Sequence, residues 1–365
     1  MIYLDEAAST KPRQEVIDTV VNLLQGDYYY NPNSQYEEAL KCKRLIEDSR
    51  NTIAKKINCL PEEITFVPSA SCANALAIVG YMNAHDCRNW ITTTLEHSSI
   101  SEIEVNLYNR FKHIEKCNSE GLLHPEQFEK YQGCLISVCG ANSEIGTVQP
   151  IKEIAEIVHK KENIIHSDLT AYWPHINVDI KDLNIDMASF GSHKIGGLKN
   201  CGALYVRKGL KLSPIVFGHG IFGGTPDIYQ ICAMGKAAEL LEYDNEEKLK
   251  KKRDYLLDKL LEIDSVSLNG SRGNRLSNNI NICVRRIEID NQQLVSVMDL
   301  LGYCISSGTA CASGDKKPST TLLSLGLTPE EANQAIRITL SNDNTYEELD
   351  KFYNDFKLIV EQYHI

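Results

Sequence analysis

The chain has 365 residues, 42% of them hydrophobic and 24% charged, which is enough to bury a large core and to divide into two domains. Its formal net charge of −11 is spread over interspersed acidic and basic residues, which argues against a nucleic-acid face or an anionic membrane surface as the main partner. No run approaches the roughly 18 apolar residues of a membrane span, and the 12 cysteines lack the spacing of a zinc site or a disulfide framework.

The opening stretch MIYLDEAAST carries neither a basic n-region nor an apolar core, so a reducing, cytoplasmic setting is expected. Six short apolar runs then read as strands: ITFV (64–67), NWITTT (89–94), CLISVC (134–139), NIIHSD (163–168), DMASF (186–190) and GALYV (202–206). Between several of them lie helical patterns such as ANALAIVGYMNA (73–84) and IKEIAEIVHKKE (151–162). The alternation predicts an α/β fold with a mainly parallel sheet covered by helices on both faces. From about residue 235 the texture changes to a charged helix (NEEKLKKKRDYLLDKLLEI), strands around NINICV and RITL, and a closing helix EELDKFYNDFKLIVEQY. That pattern predicts a smaller α+β domain after the large one.

Three stretches carry candidate chemistry. In SFGSHKIGG (189–197), Lys194 follows a strand and His193 and then meets glycines that permit close backbone approach. Such a lysine is either a surface charge or a Schiff-base lysine for pyridoxal phosphate, which needs an electron sink tuned nearby. Asp168, at the end of NIIHSD, could tune it by favouring a protonated pyridine nitrogen, or could serve only as a helix N-cap. In PSASCANALAI (68–78), small and hydroxylated residues lead from a strand into a helix, where backbone N–H groups and Ser71 could cradle a phosphate or the stretch could be a capped helix start with no ligand. Finally, ISSGTACASGD (305–315) sets Cys311 among small residues and glycines, a segment suited to a thiol that has to move.

Taken in order, YLDEAASTKP, NPNSQY, the 68–78 turn, TLEHSSI, ANSEIGTVQPI, HSDLT, SFGSHKIGGLKNCGALYVRKG, GGTPDIYQI, SSGTACASG and AIRITL make the chain resemble the cysteine desulfurases of the class V aminotransferase family. The resemblance spans nearly the whole chain and implies fold type I among pyridoxal-phosphate enzymes, with a mainly parallel seven-stranded sheet. It implies a large cofactor-binding domain at 11–235 and a smaller α+β domain built from 1–10 and 236–365. It also implies that Lys194 binds the cofactor covalently and that Asp168 pairs with the ring nitrogen. His97 would stack on the ring and take a proton from the incoming substrate. Ala70, Ser71 and His193 fall at phosphate-contacting positions, with Ser192 helping through its hydroxyl. Thr225 matches a threonine that reaches the neighbouring subunit's phosphate, which implies a homodimer. Arg337 would grip the substrate carboxylate, a bidentate geometry that lysine does not reproduce; an arginine in an apolar strand could instead serve as a buried structural ion-pair partner. Asn142 and Ser143 fall at substrate-contacting positions, and Cys311 falls at the persulfide-forming nucleophile of the branch with a long mobile cysteine loop. The implied reaction turns L-cysteine into L-alanine and passes sulfur to an acceptor protein such as an iron-sulfur scaffold or a thiolation enzyme.

The chain departs from the family pattern in places. Ala171 stands where a glutamine usually donates to the cofactor, Ser143 replaces an amide, and Gly191 occupies the position of the family's phosphate-contacting serine. The segment FGHGIFGGT before Thr225 is shorter than usual and lacks an arginine. These changes keep two alternatives open: a lyase or transaminase acting on another amino acid, and a binding scaffold derived from a desulfurase.

Overall fold

In the computed structural model, which describes residues 1–104, 110–218, 220–308 and 318–365, seven strands form the central sheet. Their order across the sheet is Ile64–Val67, Gly202–Val206, Met187–Gly191, Ile164–Asp168, Leu135–Ser137, Asn89–Thr93 and Phe111–Glu115. Only Gly202–Val206 runs against its neighbours, pairing antiparallel with both flanking strands. The remaining pairings are parallel, as the alternation of strands and helices predicts. Every residue of Met187–Gly191 and Gly202–Val206 is buried, the pattern of strands covered on both faces.

Of the seven strands, the composition left out Phe111–Glu115. It lies at the sheet's edge with Phe111 57% and Ile114 56% exposed, so its apolar residues do not mark a buried face. The segment 73–84 is helical but not uniformly so. An α-helix Ala70–Ala75 runs into a π-helical turn Leu76–Gly80 and then Tyr81–Ala84. Gly80 permits close packing there, since a Cβ would lie 2.8 Å from the Ser213 carbonyl oxygen.

Downstream, Asn279–Val284 sits between Val266–Leu268 and Ala335–Thr339 in an antiparallel three-stranded sheet. The helices Glu246–Leu260 and Tyr346–Gln362 supply Leu256, Leu257, Phe352 and Phe356 to a core that also holds Ile280 and Ile338. The amino terminus joins this part of the molecule. Ile2–Tyr3 pairs with Tyr303–Cys304, and Leu4 is fully buried in the same core. No described helix is long and apolar enough to cross a membrane.

The parallel strands end on a common edge of the sheet, where ligands of open α/β sheets bind. Asp168 terminates one strand, the turn carrying Lys194 follows another, and the chain reaches His97 and Asn142 shortly after two more.

Candidate active site

A cavity of about 930 Å³ opens at those strand ends. Its walls include Ala70, Ser71, His97, Asn142, Ser143, Asp168, His193, Lys194 and Arg337, so nine of the residues singled out from sequence come together there. Among them are an amine, a carboxylate, two imidazoles and a guanidinium.

Lys194 closes a single 3-10 turn, Ser192–Lys194, after the strand Met187–Gly191. The amino-terminal segment holds this turn: Thr10 N–H and Oγ1 both donate to the His193 carbonyl at 2.9 Å, and Gly196 N–H donates to Thr10 Oγ1 at 2.8 Å. Gly196 has φ +79, and a Cβ there would lie 2.8 Å from Arg13 Cγ. The glycine after the lysine is therefore a requirement of backbone conformation and of packing together.

Asp168 is 8% exposed, and each of its carboxylate oxygens accepts a hydrogen bond. Oδ1 accepts from Thr170 N–H at 2.9 Å, and Oδ2 accepts from Asn74 Nδ2 at 2.8 Å. Burial works to raise its pKa, but the donors from Thr170 and Asn74 outweigh it and hold Asp168 below the ordinary carboxylate value. The charge is thus fixed by hydrogen bonds in a place where it would otherwise be costly.

The same asparagine reaches the histidine. Asn74 Nδ2 donates to Ser99 Oγ at 3.0 Å, and Ser99 Oγ lies 2.9 Å from His97 Nδ1. Ser99 N–H also donates to Nδ1 at 3.1 Å. A backbone N–H can only donate, so Nδ1 is the acceptor and the neutral ring carries its proton on Nε2. Burial, with Lys194 adding to it and Asp168 opposing, lowers the pKa of His97. His193 is pushed down to about 4 by burial and by the positive charges of Lys194 and Lys199.

Sequence reasoning passed over Glu96, which is 7% exposed and lines the same cavity beside His97. Its Oε1 accepts from Thr93 Oγ1 at 2.7 Å and from Cys139 N–H at 3.0 Å. Burial outweighs these donors and raises its pKa to about 8. The adjacency of Glu96 and His97 in TLEHSSI was the available signal, but nothing local announced a buried acid.

Arg337 lies on Ala335–Thr339 and is 1% exposed. Its Nη2 donates to Asp5 Oδ1 at 2.7 Å and its Nη1 to the Ser143 carbonyl at 3.2 Å. Ser143 therefore meets Arg337 through its backbone. The Asn142 side chain serves the local turn: Oδ1 accepts from Glu144 and Ile145 N–H at 2.9 Å each, and Nδ2 donates to the Leu95 carbonyl at 2.8 Å.

One expected contact lies elsewhere. Ser192 is fully buried, and its Oγ would lie 2.2 Å from a Cβ on Gly197, which puts the hydroxyl against that glycine and off the cavity wall. Thr225, expected at the neighbouring subunit's phosphate, is exposed just before the helix Ile228–Glu239 and does not line this chain's own cavity. Cys311 lies outside the described residues.

Comparison with known proteins accords with this arrangement. The sequence pattern of the Aminotransferase class-V family matches residues 2–352. The cysteine desulfurase IscS 1 of Archaeoglobus fulgidus is 34% identical over 376 aligned positions, covering 99% of this chain and 97% of its own. The IscS of Methanosarcina thermophila is 32% identical, with 96% and 89% covered. The chain belongs to the class-V aminotransferase family, among the cysteine desulfurases. A NifS-like protein from Rickettsia africae superposes with TM-score 0.89 at 30% identity, covering 99% of both chains. A structure described as SspA in complex with cysteine gives 0.81 at 28% identity, covering 93% of this chain and 99% of its own. The architecture is the fold type I of pyridoxal-phosphate enzymes, with the mostly parallel seven-stranded sheet that the resemblance implied.

Proposed function

We propose that the protein is a cysteine desulfurase that uses pyridoxal 5'-phosphate to convert L-cysteine to L-alanine, with sulfur passing to Cys311 as a persulfide. The observation that carries this reading is the gathering of Lys194, Asp168, His97 and Arg337 on the wall of one cavity. The donor set fits the cofactor: Asp168 is held anionic by Asn74 and Thr170, and the Thr170 hydroxyl is buried on the cavity wall with no hydrogen-bond partner among the described residues. Lys194 would hold the aldehyde, Asp168 the ring nitrogen, His97 the ring face, and Ala70, Ser71 and His193 the phosphate. When bound, the cofactor supplies an electron sink that stabilises negative charge at the amino acid's Cα.

The protein's own groups divide the remaining work. Lys194 moves the Cα proton as general base. In the tautomer that Ser99 imposes, His97 Nε2 donates a proton, and taking one up there would require Nδ1 to release the Ser99 N–H. Arg337 orients the substrate through its carboxylate. Cys311 attacks the substrate sulfur as thiolate; its S–S bond forms as the Cβ–S bond breaks, and Cβ gains a proton to yield alanine. An acceptor protein, of the iron-sulfur scaffold or thiolation type, then takes the sulfur by thiol exchange.

We further propose a homodimer. It is supported by Val216 and Phe217, 43% and 85% exposed in the segment leading to Thr225, and by Ile17, Val21 and Leu24, which expose one stripe of the helix Gln14–Gln25. The cytoplasm is the proposed setting, on the eleven described cysteines that are all unpaired.

The test is incubation of the purified protein with L-cysteine, mass analysis of Cys311 for one added sulfur, and assay of alanine in stoichiometric amount. Pyruvate and ammonia as products would indicate a lyase instead.

A further inference from the structure

The carboxylate-binding guanidinium already holds a carboxylate. Arg337 Nη2 donates to Asp5 Oδ1 at 2.7 Å, Nη1 is taken by the Ser143 carbonyl, and Nε is buried with no partner among the described residues. Two donors are thus tied to the protein, which fixes the guanidinium plane, while the Nε edge remains to be satisfied. The pair is 2% and 18% exposed at its arginine and aspartate side chains, so solvent screens it weakly.

Asp5 is not a mobile surface group that could swing aside. Leu4 N–H donates to the Cys304 carbonyl at 2.9 Å, and Thr339 N–H donates to the Leu4 carbonyl at 2.8 Å. Tyr3 Oη donates to the Asp5 carbonyl at 3.0 Å, and Ala7 N–H donates to Thr339 Oγ1 at 2.9 Å. The backbone on both sides of Asp5 is therefore fastened to the strand that carries Arg337. Its neighbours Ala7 and Ala8 line the cavity, so the aspartate sits just behind the wall.

We propose that Asp5 is a specificity-setting residue that pins the Arg337 guanidinium and shares its charge, so that an amino-acid carboxylate entering the cavity competes with an internal one. This rests on the reading of Arg337 as the substrate's carboxylate ligand. Sharing weakens the hold on every carboxylate-bearing ligand, product included, while the fixed plane keeps the geometry selective. Asp5 acts through Arg337 and touches no reacting atom.

The experiment compares holoenzyme binding of L-alanine with that of ethylamine, which has an amine and no carboxylate, by calorimetry. Asp5→Asn keeps an acceptor oxygen and the shape but removes the charge, so L-alanine should bind about three- to tenfold more tightly while ethylamine binding stays the same. Asp5→Ser, smaller and uncharged, carries the same expectation and covers the case in which the asparagine variant folds poorly. If Arg337→Ala abolishes the preference for L-alanine over ethylamine but neither Asp5 variant tightens L-alanine, the inference about Asp5 is overturned and the role of Arg337 stands. If Arg337→Ala leaves the preference intact, the role of Arg337 falls and the inference falls with it.

Discussion

Asn74 and Asp168, 94 residues apart, meet through a buried hydrogen bond of 2.8 Å, and the second N–H of the same amide holds the serine that fixes His97. One side chain thereby donates both to the carboxylate and to the serine whose backbone N–H fixes the tautomer of the imidazole. Asn74→Ala removes a donor to a buried carboxylate, a loss of about 1.5 to 3 kcal/mol. Asp168 should then titrate at higher pH, and pyridoxal phosphate should bind about tenfold or more weakly, as read from equilibrium titration of the apoprotein. Unchanged affinity would mean that Asp168 holds its charge without this donor.

Glu96 makes a prediction about stability and pH. Burial raises its pKa from the ordinary 4.5 to about 8, so the acid form is the one that the fold favours. A group raised on folding contributes fully below its unfolded pKa and loses that contribution as pH climbs through the folded one. Between about pH 4.5 and 8 the wild type should lose stability relative to Glu96→Gln, with a limiting slope of roughly 1.4 kcal/mol per pH unit. Parallel melting curves of the two proteins across this range would contradict the buried-acid assignment.

The strands ITFV and GALYV coincide with Ile64–Val67 and Gly202–Val206, and NINICV with Asn279–Val284, because each is a short run rich in apolar and β-branched residues. Lys194 and Asp168 stood out through their places just after or at the end of strands, whereas His97 and Arg337 were reached only through the family resemblance; all four line one cavity. What stayed hidden is what only tertiary contact creates. The pairing of Asp5 with Arg337 joins residues 332 apart, and Asn74 reads as one more polar residue on a helix. Ser192 shows the same limit from the other side: its motif suggested a hydroxyl on the cavity wall, whereas the strand ends at Gly191, beside Thr170, and the 3-10 turn that begins at Ser192 sets its hydroxyl against Gly197.

Gly196 offers a test of how the lysine turn is built. Alanine there would occupy φ +79, which costs about 1 to 2 kcal/mol for a residue with a Cβ, and it would also press on Arg13 Cγ at 2.8 Å. Gly196→Ala should lower the unfolding free energy by that amount, seen as a lower denaturant midpoint with little change in the slope of the transition. Because Arg13 N–H donates to the Gly196 carbonyl at 2.9 Å, the disturbance should also loosen the amino-terminal segment, measurable as faster hydrogen exchange at Arg13.

Gly191 packs behind Thr170, which lines the cavity. A Cβ on Gly191 would lie 2.9 Å from Thr170 Cγ2, 3.5 Å from Ala70 Cβ and 3.7 Å from His193 Cε1, so the threonine methyl fills the space that a serine at 191 would need. Gly191→Ser alone should therefore destabilise the protein by about 1 to 3 kcal/mol through overpacking. Thr170→Ala alone removes a buried methyl and the hydroxyl of a residue that lines the cavity beside Asp168, and should weaken cofactor binding. The double variant relieves the clash and returns a hydroxyl next to position 170, so its melting temperature should exceed that of Gly191→Ser and its affinity for pyridoxal phosphate should exceed that of Thr170→Ala. Strict additivity of the two single effects in a double-mutant cycle would show that the positions act independently and that the methyl does not fill the place of a serine.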